Sequence, residues 1–161
     1  MSACARGDIP QVEKYFNENK DNIYGLIERG MYRASIFGRL GLVKFIIEYV
    51  ESLDPDKTCI KYETLYVTAC KSGNLELVKF ILEYCKSMNY HLEPKVISGH
   101  GYRCSCESGN ITLVKFIIEY SKSIDYSIDK HFRARGITYA CWNGNVDVIK
   151  YAIEYSKLID Q

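Results

Sequence analysis

The sequence predicts an all-α solenoid of about five stacked helix–turn–helix repeats. Three observations carry that prediction. One motif recurs along the chain, each copy breaks at a glycine, and the apolar residues after each glycine follow helical periodicity. The punctuating glycines are Gly7, Gly38, Gly73, Gly109 and Gly144, spaced 31, 35, 36 and 35 residues apart. A chain of 161 residues at this period suits a single repeat domain over 1–161, with divisions near 1–28, 29–63, 64–99, 100–134 and 135–161.

The copies follow in order. Ala3-Cys4-Ala5-Arg6-Gly7-Asp8 is the faintest, and Ala34-Ser35-Ile36-Phe37-Gly38 precedes Leu42-Val43-Lys44-Phe45-Ile46-Ile47-Glu48-Tyr49. The third is the fullest: Ala69-Cys70-Lys71-Ser72-Gly73-Asn74-Leu75-Glu76-Leu77-Val78-Lys79-Phe80. Ser105-Cys106-Glu107-Ser108-Gly109-Asn110 and Ala140-Cys141-Trp142-Asn143-Gly144-Asn145 open the last two. Each glycine is placed to end a first helix in the left-handed conformation. The second helix of the third copy then carries one apolar stripe at 75, 78, 81 and 82 and another at 77 and 80. Two stripes describe a helix sandwiched between neighbours.

Composition narrows the function. Lys plus Arg number 21 against 20 Asp plus Glu, so no global field draws the chain to nucleic acid or an anionic membrane. No apolar run approaches the length of a membrane-spanning helix. The first residues show no secretory pattern, and the expectation is a soluble protein of the cytoplasm. Seven cysteines without a Cys-x-x-Cys pair argue against a disulfide framework or a zinc knuckle. Cys4, Cys70, Cys106 and Cys141 each stand three residues before their glycine, with Ser35 in the same place. A small apolar slot between adjacent first helices explains that column without metal or redox chemistry. His91, His100 and His131 read as exposed loop residues without catalytic partners, and Gly99-His100-Gly101 is a lone loop fragment. No enzyme, cofactor or metal is expected.

The small-small-x-x-Gly pattern followed by Asn-Leu-Glu-Leu-Val-Lys, matched in order and spacing by residues 69–79, resembles the ankyrin-repeat family. The likeness extends over residues 2–161 as a set of copies. Tetratricopeptide repeats share the period of about 34 but lack the glycine within the repeat. The style, rich in Lys, Tyr, Ile and Asn, is similar to the divergent ankyrin proteins of giant DNA viruses and amoebae, which would place the chain in a host cytoplasm. The family's Thr-Pro-Leu-His is poorly kept. The corresponding residues are Arg29-Gly30-Met31-Tyr32, Thr64-Leu65-Tyr66-Val67, His100-Gly101-Tyr102-Arg103 and Arg135-Gly136-Ile137-Thr138. The hydrogen bonds that this motif makes between repeats are therefore expected to be mostly missing, with long second helices, irregular loops and degenerate hairpins.

What the resemblance implies about function is a non-catalytic module that binds another protein on the concave face, as an adaptor for a host protein if the source is viral. The family meets partners through the two residues before the glycine and through the hairpin tips. Here those residues are Ala5/Arg6, Ile36/Phe37, Lys71/Ser72, Glu107/Ser108 and Trp142/Asn143. Trp142 has two readings at this stage, as an aromatic anchor or as a side chain folded onto its own helix pair. The basic stretch Lys130–Arg135, read as a loop, either adds Arg133 and Arg135 to that surface or is merely solvated; it lacks the aromatic interleaving of a nucleic-acid site.

The pairs Lys44/Glu48, Lys79/Glu83, Lys115/Glu119 and Lys150/Glu154 read as i,i+4 contacts on a solvated convex face. The two ends differ. Gln11 and Lys14 replace the apolar Leu77 and Phe80 of the third copy, which marks a cap, whereas Val148 and Tyr151 stay apolar. The alternative function is thus a self-associating subunit stacked through Val148 and Tyr151, or a chain continued by further repeats.

Overall fold

The protein, described by a computed structural model over residues 2–53 and 59–160, repeats one unit five times: a helix, a left-handed glycine and an antiparallel helix. The pairs are α1 (Ser2–Arg6) with α2 (Ile9–Glu18), α3 (Ile23–Ile36) with α4 (Leu40–Leu53), and α5 (Tyr62–Ser72) with α6 (Leu75–Ser87). They continue with α7 (Gly101–Ser108) and α8 (Ile111–Ser123), then α9 (Lys130–Trp142) and α10 (Val146–Ile159). A π turn, Val96–His100, leads into α7, and a 3-10 turn, Lys20–Asn22, leads into α3. Among the described residues there is no strand, so no hairpin joins one repeat to the next there.

Three of the divisions drawn from sequence fall inside first helices: 28/29 cuts α3, 63/64 cuts α5 and 134/135 cuts α9, while 99/100 cuts the π turn before α7. At α9 a side-chain cap sets the start upstream of the motif. The Asp129 carboxylate accepts from the Phe132 N–H at 3.0 Å, so Lys130–Arg135 is the first turn of α9 and not a loop. His131 is likewise helical, and Gly99-His100-Gly101 lies in the π turn and the start of α7. Of the histidines only His91 sits in a loop.

Gly73 and Gly109 show why the glycine recurs. Each ends its helix at positive φ, 75° and 78°, a region costly for other residues. The next residue then does two jobs. Asn74 Oδ1 accepts from the Leu77 N–H at 3.0 Å, capping α6, while its Nδ2 donates 2.8 Å to the Gly38 carbonyl of the preceding repeat. Asn110 caps α8 and donates to the Gly73 carbonyl at 2.8 Å. Arg39 takes the place of Asn in the second copy and reaches the Ala5 carbonyl at 2.7 Å. In the last copy Asn143 spans to the Glu107 carbonyl at 2.8 Å. This ladder supplies the ties between repeats that the sequence, lacking Thr-Pro-Leu-His, left unaccounted for.

A second tie is steric. Tyr66 and Tyr102, both fully buried, fill the space that a Cβ would need at Gly101 and Gly136 of the next repeat, 2.5 Å from the nearest ring-side atom in each case. Such glycines let consecutive first helices approach closely, and α3, α5, α7 and α9 pack in an unbroken row. The second helices, 10 residues long in the first pair and 13 or 14 in the others, touch less and are bridged by long side chains. Row spacing that is tighter on one side bends the array with its first helices inside.

The outer bridges correct the expected charge ladder. Lys44, Lys79 and Lys115 do not turn to the glutamates four residues on. Their ammonium groups lie 5.0, 6.0 and 5.3 Å from the rings of Phe80, Phe116 and Tyr151 in the following repeat. Each such contact contributes about 0.5–1 kcal/mol at an exposed site. Lys79 also pairs with Glu76 at 3.1 Å. The Tyr84 hydroxyl donates to Glu51 at 2.8 Å across the same seam.

One continuous apolar core runs along the solenoid between the two helix rows. Ser35, Cys70 and Cys106 are buried in the slot three residues before the glycine, as the small-residue column requires. Cys4 is half-buried, and Cys141 is exposed because α9 is the last first helix and no neighbour covers it. Gln11 and Lys14 are exposed on α2, as a polar end requires. Val148 is 1% exposed and Tyr151 half-buried, both turned into the preceding repeat. They are therefore not the open face of the last copy. That face consists of Val146, Ile153 and Leu158, at 57%, 38% and 69% exposure.

Candidate partner-binding surface

The inner row of first helices presents one turn of side chains per repeat beside the buried slot. One residue after the slot, about 100° round the helix, come Lys71, Glu107 and Trp142, of which Lys71 and Trp142 are exposed and Glu107 is partly so. Trp142 is 73% exposed, so it does not fold onto its own helix pair. Phe37, the C-cap of α3, is about half exposed, and Ile36 beside it is partly buried.

Adjacent repeats engage each other on this surface. Lys71 Nζ lies 2.8 Å from Glu107 Oε1, and that hydrogen bond raises the lysine pKa. Asn143 is exposed, but its amide is committed to the Glu107 carbonyl. Arg133 is not part of the surface. At 4% exposure its guanidinium donates to the Ile128 carbonyl at 2.7 Å and pairs with Asp160, pinning the end of α10 to the start of α9. An arginine four residues after the Asp129 cap faces the loop it closes, which the loop reading of 130–135 concealed.

Arg135 does remain exposed, and it has company that spacing from the glycine did not reveal. Tyr139 follows it one turn later on the same helix. The Arg103 guanidinium, from the preceding repeat, sits 5.1 Å from the centre of the Tyr139 ring. Tyr139 in turn meets the Trp142 indole edge-on at 5.1 Å. Arg103 and Tyr139 were missed because attention fell on the last two residues before each glycine. The usable signal was helical: they lie one turn further back, on the same face as Glu107 and near Trp142.

The local field is positive. The Tyr139 phenol is held below its ordinary pKa, first by Arg135 and then by the charge of Arg103. His100, half-buried against Phe132 at 5.0 Å, is lowered by desolvation and then by Arg103, Lys95 and Arg135. Burial sends the inner thiols the other way: Cys106 is pushed up to about 12 and Cys85 to about 11, values that leave both protonated and inert.

Two further features complete the surface inventory. A hollow of about 350 Å³ opens between α3 and the start of α5, floored by Ile27, Met31, Ile60 and Leu65, with the Lys61–Glu28 pair at its rim. Among the described residues no group of three or more His, Cys, Asp or Glu is placed to hold a metal ion, and no helix is long and apolar enough to cross a membrane.

Residues 102–153 match the family model described as ankyrin repeats in many copies. The matched stretch covers nearly all of the last two helix pairs and so includes Arg103, Tyr139 and Trp142. Neither the curated proteins nor the solved structures gave a match.

Proposed function

We propose that this chain, an ankyrin-repeat solenoid, is a non-catalytic module that binds another protein along its first-helix face. Ankyrin repeats generally mediate contacts between proteins. The observation that carries the reading for this chain is the contrast between neighbouring positions. The buried slot holds Ser, Cys or Cys in copy after copy, while the next residue outward changes from Ile36 to Lys71, Glu107 and Trp142. Packing constrains the first and leaves the second free to recognise something. A tryptophan 73% exposed beside Tyr139 is the anchor type that dominates protein interfaces. The free state of all seven thiols favours a reducing compartment such as the cytoplasm.

Capture from a lysate by the immobilised chain tests this. Trp142→Ala should abolish the captured band, whereas Lys115→Ala on the outer row should leave it. Loss in the lysine variant with retention in the tryptophan variant would overturn the assignment of the face.

A second reading, self-association, draws on the exposed Val146, Ile153 and Leu158 of the last copy. Light scattering over a concentration series, with Val146→Lys as the control, separates it from the first. A mass that rises with concentration only in the parent chain supports stacking, and a constant monomer mass removes it.

A further inference from the structure

We infer that the first-helix surface of the last two repeats takes an acidic peptide, with a carboxylate held between Arg103 and Arg135 and an apolar side chain seated on Trp142. This rests on the reading of the chain as a protein-binding module and names the chemistry of the partner.

The argument begins with which cations are already used. Lys61 pairs with Glu28, Lys71 with Glu107 and Arg133 with Asp160. Arg103 and Arg135 have no carboxylate within ion-pair distance among the described residues. Glu107 stands one turn beyond Arg103 on α7, yet its carboxylate turns to Lys71 instead, at 2.8 Å. Two guanidiniums from adjacent repeats are thus left beside one phenol with their charge uncompensated. The lowered pKa of the Tyr139 phenol, caused by Arg135 and then Arg103, agrees with that placement.

Arg103 is held over the Tyr139 ring at 5.1 Å, and Arg135 stands exposed one turn before that tyrosine on α9. Stacking leaves the edge of a guanidinium, its fork of donors, free for a carboxylate. Trp142, in edge contact with the same tyrosine, adds an apolar plate next to the charge. Charge and apolar surface side by side match a segment in which Asp or Glu neighbours Leu or an aromatic residue. A nucleic acid strand fits less well. It needs a track of free cations along its phosphates, but here Lys71 is consumed, and the Glu107 carboxylate interrupts the row.

The test is a selection of random peptides on the immobilised full chain, with the Arg103→Gln/Arg135→Gln variant as counter-target and a single-stranded oligonucleotide pool as a parallel arm. Arg135 is exposed and Arg103 partly so, and circular dichroism checks that the variant remains folded. Enriched peptides should carry Asp or Glu beside an apolar residue. Trp142, the only tryptophan, should report their binding by its emission. Each arginine substitution should weaken binding about tenfold, the effect of one charge-assisted hydrogen bond, and added salt should weaken it further. Enriched peptides that lack acidic residues, or that bind the double variant equally, overturn the inference. If those peptides still shift Trp142 emission, the protein-binding reading stands without it. A pool of oligonucleotides that binds where no peptide does overturns both.

Discussion

Tyr66 and Tyr102 occupy equivalent places in consecutive repeats, and replacing each with phenylalanine should have opposite consequences. Both rings are fully buried against the glycine of the next repeat, and phenylalanine keeps the ring contacts, which at Gly101 are 3.1 and 3.2 Å and at Gly136 begin at 2.5 Å. Only the hydroxyls differ. Tyr66 Oη donates 2.9 Å to the Ile97 carbonyl in the π turn. Removing it takes from a buried carbonyl its side-chain partner, at a cost of about 2 kcal/mol. The Tyr102 hydroxyl is buried without an oxygen or nitrogen partner; its polar neighbour is the Cys106 thiol, a weak acceptor. Removing that hydroxyl relieves a desolvation penalty of about 1 kcal/mol. For a chain of this size 1 kcal/mol moves the melting temperature by about 2–4 °C. Tyr66→Phe should therefore melt about 4–8 °C lower than the parent, and Tyr102→Phe the same or up to about 4 °C higher. Far-UV circular dichroism with a parallel urea titration at constant m measures both. Equal losses in the two variants would refute the hydrogen-bond account of the interface.

Three other outcomes follow from the packing. Gly136→Ala sets a methyl 2.5 Å from the Tyr102 ring and 3.1 Å from the Cys106 sulfur, so overpacking of about 1–3 kcal/mol outweighs the helix gain. Gly41→Ala, where nothing lies within 4 Å, should instead stabilise by about 0.4–1 kcal/mol; the reverse order of melting temperatures would contradict the stacking. Mass spectrometry of the native chain treated with iodoacetamide should find Cys141 alkylated first and Cys70 and Cys106 last; early labelling of Cys70 would show that the slot is open. Stability should also fall as pH rises above about 9. The folded chain keeps the Cys85 and Cys106 protons to about 11 and 12, while the unfolded chain loses them near the ordinary thiol value of 9.0. Burial of Tyr66 and Tyr102 acts in the same direction. A melting temperature unchanged between pH 8 and 10.5 would refute it.

Much of this fold was legible because its signals are local and repeated. The left-handed glycines, the small-residue slot and the polar Gln11 and Lys14 each follow from one residue's own requirement, repeated at a constant period. What escaped was long-range partnership. Lysines that look ready for glutamates four residues on instead reach rings some 36 residues away, since a neighbouring repeat brings a desolvated aromatic face closer than the solvated carboxylate. Asn74 and Asn110 stand in the sequence as part of the break after each glycine, and nothing local shows that they also clamp the repeat before. Val148 and Tyr151 were identified correctly as apolar but assigned to the wrong side of α10, because a stripe on a terminal helix does not say which neighbour it faces. Arg133 was misplaced for a related reason: basic residues in series suggest a solvated loop, and the Asp129 cap that makes them helical needs its geometry to be recognised. Within the site, Trp142 and Arg135 were found by position alone. Arg103 and Tyr139 were missed because their role depends on a contact between α7 and α9.

The central claim is that a protein partner seats on the first-helix face, and site-specific photocrosslinking tests it most directly. A photoreactive phenylalanine analogue is placed at one position per variant: Lys71 or Trp142 on the inner row, and Lys79 or Lys115 on the outer. Illumination in lysate should yield the same covalent adduct from the two inner positions and none from the outer pair. An adduct formed from Lys79 or Lys115 and absent from Trp142 would place the partner on the other face and contradict the account.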